Sequence, residues 1–247
     1  SEIKSPQYSG LDPYPSFLRI VNWIKFYINN DLVNDDIKSS LFVQTEYLYN
    51  NLEWHLLGNH ILANAKALIF SGIFFQGLDS EKWKIKGIQI YKKQIKAQIL
   101  DDGGHFEKSP MYHSIILEDI LDLINISQVN LDQIPKSFVD ELLVTAEKML
   151  LWLNIMSYEN GETPHFNDST QKIANDFKSL SKYAKELNIK ILIDNSYINK
   201  INVKELTHSG FIIIQQPKTK SFLDVGSIGA SYIPGHGHAD TLSFETS

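Results

Sequence analysis

Apolar residues recur at the spacing of one helix face along most of the chain. The segment 15–30 predicts an amphipathic helix, because its apolar positions lie on one side of a helical turn. These positions are Phe17, Ile20, Val21, Ile24 and Ile28. Similar patterns predict helices over 36–51, from about 59 to 76, and over 80–100, 111–126, 135–156 and 168–187. Short connections between these segments indicate helical hairpins packed side by side.

Several residue types fit the ends of these helices. Ser80 is a candidate N-cap of the fourth helix, and Pro135 suits the start of the sixth. Asn59 and Asp168 are also residue types that cap helices, so each has a structural interpretation beside any chemical one.

The pattern changes after about residue 188. The segments "GFIIIQQP", "SFLDVG" and "TLSFET" are short, rich in β-branched and aromatic residues, and separated by turn-forming residues. We therefore expect a mainly α protein, with a helical domain over 1–195 and the first strands of a β domain over 196–247. Three short strands are barely enough for a sheet that stands alone, so we expect more β structure to follow.

Composition and charge exclude several classes of protein. The 247 residues are 43% hydrophobic and 21% charged, which is typical of a folded protein. The net charge of −6 disfavours nucleic acid and anionic membranes as partners. No cysteine is present, which excludes disulfides and thiolate metal sites. The longest apolar run, 67–75, is too short to cross a bilayer, and the first residues lack the pattern of a signal peptide.

Four polar stretches stand out from their apolar surroundings: "GNHILANAKA", "DDGGHFEKSPMYH", "GETPHFNDS" and "PGHGHADTLSFE". In the last stretch, His236, His238 and Asp240 would share one side of an extended segment. That side would suit a metal ion completed by further ligands, or one catalytic histidine and one structural histidine. In the other stretches, His60 could be a surface residue. Tyr112 could be a core residue of the next helix and His113 a residue at its rim. HExxH, GxSxG and P-loop motifs are absent.

Five segments in one order resemble the heparinase II/III-like polysaccharide lyases. They are "PYPSFLRIVNWIKF", "GNHILANAKALIFSGIFF", "DGGHFEKSPMYH", "PHFNDS" and "GHGHADTLSFE". They extend over nearly the whole chain, which resembles the middle of a longer family member. The resemblance implies an incomplete (α/α) toroid of helical hairpins, followed by the start of an antiparallel β-sandwich.

The resemblance also implies the chemistry, a β-elimination that cleaves uronate-containing glycans. Asn59 matches the family's asparagine that neutralises the uronate carboxylate, with His60 beside it. Tyr112 matches the catalytic tyrosine, and His236 matches a histidine that reaches the cleft from the β domain. His238 matches a position that binds a structural zinc in some relatives.

The remaining polar residues are expected to surround the cleft. They are the predicted substrate-binding residues His105, Glu107, His113, His165 and Asn167. No cofactor is expected to be required, and the expected partner is an acidic polysaccharide or oligosaccharide. Because such polymers are usually met outside the cytoplasm, a periplasmic or secreted bacterial lyase is expected.

Two other functions remain open at this stage. One is a glycoside hydrolase of toroid fold that uses a pair of carboxylates, such as Glu107 with Asp168. The other is a protein that binds a glycan of surface-polysaccharide metabolism without cleaving it. A hydrolase would release saturated products, whereas a lyase would release unsaturated ones.

Overall fold

The computed structural model describes residues 12–30, 34–56, 58–191, 201–227 and 242–247. These residues form seven helices and four strands. The helices are α1 (Pro13–Asn30), α2 (Asp35–Asn50), α3 (Gly58–Phe74), α4 (Leu78–Gln98), α5 (Pro110–Gln128), α6 (Lys136–Ile155) and α7 (Phe177–Glu186). The strands are β1 (Asn202–Leu206), β2 (Phe211–Gln215), β3 (Lys220–Asp224) and β4 (Phe244–Thr246).

The chain divides into two compact units. The first unit contains residues 1–95 with 130–134, and the second contains 96–129 with 135–247. The predicted domain boundary near 195 lies outside the described residues and stays a prediction. None of the described helices combines the length and apolarity needed to span a membrane.

The first unit is organised around α3, almost every residue of which is buried. Gly72 and Gly87 allow α3 and α4 to approach closely. A Cβ atom at Gly72 would lie 2.5 Å from Lys84 Cβ, and one at Gly87 would lie 2.8 Å from the Ala65 carbonyl oxygen.

Three expectations for the first unit are wrong in detail. Ile28 is 53% exposed, and Tyr27 is buried instead, where its hydroxyl donates to Asn34 O. Helix α4 begins at Leu78, so Ser80 lies within its first turn and donates to Gly77 O rather than capping the helix. Helix α3 begins at Gly58, so Asn59 is a residue of the first turn and not the cap.

In the second unit, α5, α6 and α7 pack against one another. The N-cap of α7 is Asp176, whose Oδ1 accepts from Ser179 N. The prediction that this helix begins at Asp168 is therefore wrong, because Asn167 and Asp168 have φ of 48° and 64° and the chain turns there. Pro135 is the N-cap residue of α6, one position before the expected place.

The strands form one antiparallel sheet in the order β1-β2-β3-β4. Leu206 pairs with Phe211 across the first turn, and Phe211 pairs with Asp224 in the next strand. Phe211 and Phe222 are fully buried and form the inner face of the sheet. The three expected strands are present, and β1 is an additional strand.

A carboxylate fixes the turn between β1 and β2 to the glycine-rich loop after α4. Asp102 Oδ1 accepts from Gly104 N, and its Oδ2 accepts from His208 N, Ser209 N and Ser209 Oγ at 2.7–3.1 Å. Trp152 Nε1 donates to the same serine hydroxyl at 2.9 Å. The loop, the sheet and α6 are thus joined through one buried serine.

Candidate active site

Asn59 and His60 lie half-buried on the first turn of α3, in the first unit. His60 Nδ1 is 3.4 Å from Glu53 Oε2, and the same oxygen accepts from Asn64 Nδ2 at 2.9 Å. Glu53 N donates back to Asn64 Oδ1 at 3.0 Å. A buried carboxylate–amide pair therefore lies beside Nδ1 of the His60 ring.

The charge of Glu53 matters for the tautomer of His60. Burial alone would raise the pKa of Glu53, but the contacts with His60 and Asn64 outweigh it and lower the pKa overall. An ionised carboxylate beside Nδ1 favours a proton on that nitrogen. The other ring nitrogen is then left for a ligand. Tyr14 packs on the same imidazole, with ring centroids 5.5 Å apart.

Tyr112 lies half-buried on the first turn of α5, in the second unit. The N-cap of this helix is Ser109, whose hydroxyl accepts from Tyr112 N and lies 3.0 Å from Ser169 Oγ. Ser169 Oγ also accepts from Met111 N at 3.1 Å. Two serine hydroxyls thus hold the turn that carries the phenol.

Asn167 and Lys108 continue this arrangement towards the sheet. Asn167 Nδ2 lies 3.2 Å from both Lys108 O and Asp224 Oδ2, and all three residues are buried. Lys108 Nζ donates to Ser227 O at 2.5 Å. Burial lowers the pKa of Lys108, although Asp224 and Asp102 oppose this shift. Asn167, predicted to bind substrate, therefore lies inside the protein as a link between the start of α5 and strand β3.

His105, Glu107 and His113 are also buried. His113 Nε2 donates to Met149 O at 3.0 Å, and its Nδ1 accepts from His105 N at 3.3 Å. The His113 ring stacks on Trp152 at 4.3 Å between centroids, and burial lowers its pKa to about 3. The neutral imidazole therefore fits here as a core group. These three side chains were expected to contact the substrate, but burial leaves them almost no exposed surface for such a contact.

His165 is the predicted substrate-binding residue of this unit whose side chain is exposed. Its backbone N and its Nδ1 lie 2.8 and 3.1 Å from Glu245 Oε2, and Tyr158 OH donates to Glu245 Oε1 at 2.7 Å. Burial alone would raise the pKa of Glu245, but these hydrogen bonds lower it overall. Burial raises the pKa of Tyr158, and the adjacent Glu245 adds to this effect. The three side chains line a cavity of 490 Å³ together with Lys220.

Tyr158 and Glu245 were not singled out from the sequence. Glu245 follows the residues "LSF" in a segment whose pattern predicts a strand, so its residue type alone does not indicate a site. No local spacing links it to Tyr158, which lies 87 positions earlier.

His236, His238 and Asp240 lie outside the described residues. The described residues before and after this part of the chain are Ser227 and Leu242, and both lie near Asp224 and its partners. Leu242 N donates to Asp224 O, and Asp224 N donates to Ser243 O, at 2.6 and 3.0 Å. On the other side, Ser227 accepts from Lys108. The described residues on either side, Ser227 and Leu242, therefore lie beside the residues that anchor the start of α5.

The structure does not by itself bring all the predicted catalytic residues together. Asn59 and His60 belong to the first unit, and Tyr112 belongs to the second. Their convergence on one substrate stays a prediction. Among the described residues, no group of three or more His, Asp or Glu side chains is arranged to hold a metal ion.

Two family models match this chain, an N-terminal model followed by a C-terminal model. Residues 20–190 match the heparinase II/III N-terminus, and residues 199–247 match the heparinase II/III-like C-terminal domain. The chain belongs to the heparinase II/III family. The resemblance inferred from five short segments is confirmed.

Curated relatives of this chain are longer than it is. A heparin-sulfate lyase of Bacteroides stercoris is 29% identical over 179 residues, which are 65% of this chain and 26% of that protein. A heparin-sulfate lyase of Pedobacter heparinus is 34% identical over 134 residues, which are 53% of this chain and 19% of that protein. The chain thus matches about a quarter or less of the length of these relatives.

Solved structures show the same fold. A crystal structure of heparinase III has a TM-score of 0.74 at 17% identity and covers all of this chain and 42% of its own. Heparan sulfate lyase HepC from Pedobacter heparinus has a TM-score of 0.64 at 23% identity, over 95% of this chain and 39% of its own. The expected fold class, part of an (α/α) toroid followed by antiparallel strands, is confirmed.

Proposed function

We propose that this protein is a polysaccharide lyase that cleaves an acidic, uronate-containing glycan of the heparan sulfate type. Membership of the heparinase II/III family supports this, as do relatives named heparin-sulfate lyase. The match spans about a quarter or less of the length of these relatives, and the activity is proposed on their likeness.

The reaction we propose is a β-elimination within the uronate. A base removes the C5 proton, the electron pair forms the C4–C5 double bond, and the C4–O bond breaks. An acid returns a proton to the leaving sugar oxygen, and no water is consumed. The C5 proton becomes acidic only when the adjacent carboxylate is neutralised, because charge accumulates there in the transition state.

Asn59 and His60 are suited to that neutralisation. Both lie on the first turn of α3, where the amide and the imidazole project from adjacent positions. The Glu53 contact engages His60 Nδ1 and leaves Nε2 available to the ligand. We assign to these two side chains the hydrogen bonds to the uronate carboxylate and the developing enolate.

Tyr112 and His236 are assigned the proton transfers. Tyr112 would act as base and then as acid when the proton and the leaving group are on the same face of the ring. His236 would be the base when they are on opposite faces. The observation that supports this assignment is the cluster of Lys108, Asn167 and Asp224, which connects the helix start bearing Tyr112 to strand β3. Its members also contact Ser227 and Leu242, the described residues that precede and follow His236 in the chain.

Two further assignments rest on the family alone. His238 is the proposed ligand of a structural zinc in the β domain, and no step of the reaction involves that ion. A periplasmic or secreted location in a bacterium is proposed because lyases usually meet such polymers outside the cytoplasm.

The proposal is tested by ultraviolet absorbance of unsaturated uronate during incubation with heparan sulfate, heparin and alginate. We expect absorbance to rise with at least one polymer. Tyr112→Phe should lower the rate by about 100-fold to 10,000-fold, and His236→Ala should lower it on substrates that need the opposite-face base. Tyr47→Phe is the matched control, because Tyr47 is a half-buried tyrosine of α2 outside the site.

Other products would indicate other functions. Saturated products that depend on Glu107 and Asp168 would indicate a hydrolase. Binding without any product would indicate a glycan-binding protein. Full activity in both Tyr112→Phe and His236→Ala would refute the assigned roles even if the lyase activity is real.

A further inference from the structure

Trp54 is exposed at the surface of the first unit and directly follows Glu53, the residue that contacts His60. Its side chain is 46% exposed, although it follows the buried Glu53 directly in sequence. Glu53 is the residue that contacts His60 and Asn64. Consecutive Cα atoms are about 3.8 Å apart. The backbone of Trp54 is therefore close to the backbone of Glu53, whose carboxylate contacts the His60 imidazole.

The turn that carries Trp54 is fixed from both sides. Glu53 N donates to Asn64 Oδ1, and Trp54 N donates to Leu52 O at 2.8 Å. Leu56 N donates to Glu53 O at 3.1 Å. An exposed tryptophan on a turn held by a buried polar pair loses little conformational freedom when a ligand binds.

A cation accompanies the indole. Lys86 Nζ, from α4, lies 6.0 Å from the centroid of the Trp54 ring. Tyr14 is 49% exposed and packs on the His60 ring from α1. One exposed aromatic ring therefore packs on His60, and a second one, beside a lysine, belongs to the residue that follows Glu53.

This combination suits an acidic sugar. The C–H face of a pyranose packs on an aromatic ring, and a sulfate or carboxylate substituent pairs with an ammonium group. We infer that Trp54 and Lys86 form a subsite that binds an acidic sugar unit next to the one held by Asn59 and His60. The inference depends on the proposed function for the nature of the ligand.

Binding and cleavage must be measured separately to test it. The probe is a size-defined heparan sulfate tetrasaccharide, with a neutral tetrasaccharide of glucose for comparison, and affinity is measured by titration calorimetry. Tyr112→Phe serves as the background so that the probe stays intact. Trp54→Ala should weaken binding of the acidic probe by about tenfold or more, and Trp54→Phe should retain most of the affinity.

Lys86→Met should reduce the preference for the acidic probe over the neutral one, because it removes only the charge. The control is Trp23→Ala on α1, since Trp23 is also exposed, at 37%, but has no contact with Glu53 or His60 among those described. In the otherwise native protein, Trp54→Ala should raise KM more than it lowers kcat, which a merely structural residue would not do selectively.

The outcomes distinguish the subsite from the reaction. Binding that depends on Trp54 without any cleavage by the native protein would support the subsite and refute the lyase. Cleavage with unchanged probe affinity in folded Trp54→Ala would refute the subsite and leave the lyase intact. Equal weakening by Trp23→Ala would also refute the subsite.

Discussion

Removal of the Asp102 carboxylate should destabilise the second unit strongly. This side chain accepts four hydrogen bonds, two of them from the backbone and hydroxyl of Ser209, which is fully buried. A hydrogen bond to a charged group contributes about 1.5 kcal/mol or more, so the two bonds to Ser209 alone predict a loss of about 3 kcal/mol in Asp102→Ala. The loss arises mainly because Ser209 N would be buried without an acceptor.

The assay is urea unfolding followed by near-ultraviolet circular dichroism, which reports on Trp152 in the same network. Asp102→Asn keeps one acceptor oxygen and should lose about half as much free energy of unfolding. The adjacent Asp101 is the matched control, because its side chain is 85% exposed and its only described partner is His208 at 3.4 Å. Asp101→Ala should change stability by less than about 0.5 kcal/mol.

Two results would contradict this reasoning. One is a loss below about 1 kcal/mol in Asp102→Ala, which would mean that water replaces the carboxylate at little cost. The other is an equal loss in Asp101→Ala, which would mean that charge at the loop matters rather than the buried hydrogen bonds.

Three further predictions concern pH and backbone geometry. Burial lowers the pKa of His113 to about 3. The unfolded chain therefore binds a proton at this histidine at higher pH than the folded protein does, and stability falls as pH drops from about 6.5 towards 3. His113→Gln should make the urea midpoint fall less over this range. Burial of Glu245 opposes a lowered pKa, but hydrogen bonds from His165 prevail; its stabilisation is present above its unfolded pKa and is lost as pH falls through the lower folded pKa. Glu245→Gln should therefore reduce the acid-induced drop in thermal midpoint, and an unchanged drop would contradict the assignment. Gly103→Ala should destabilise by more than about 2 kcal/mol in urea unfolding, because φ is 90° and the new Cβ would lie 2.4 Å from a main-chain oxygen. Gly77→Ala, with φ of 110° and open space around the new Cβ, should cost about half as much.

The helices were predictable from the sequence because their apolar positions keep a helical period. Helix α1 illustrates this, since Phe17, Ile20, Val21 and Ile24 are all buried. The boundaries were less predictable. Asp168 and Asp176 are equally good capping residues by type, and only the left-handed backbone at 167–168 excludes the first.

Strand β1 was missed because "NVKEL" alternates polar and apolar residues with charges, and only Leu206 at its end is buried. Its partner, "FIIIQ", has a much stronger apolar pattern.

The candidate site was partly predictable. The order of the motifs identified Asn59, His60 and Tyr112 as candidate site residues. In the structure, all three lie on the first turns of helices. Burial was not predictable from residue type, so Asn167 and His113 were expected at the ligand although both are interior. Glu245 and Tyr158 meet across a long sequence separation, and short motifs carry no information on such a contact.

Backbone strain is concentrated around the start of α5. Lys108, Asn167 and Asp168 are non-glycine residues with φ of 58°, 48° and 64°. They are half of the six such residues in the described parts of the chain. A left-handed conformation costs about 1 kcal/mol at Lys108 and less at Asn167 and Asp168, whose residue types adopt it more readily. Variants that relax this region with glycine would be expected to gain thermal tolerance while they loosen the phenol, so stability and turnover should trade against each other here.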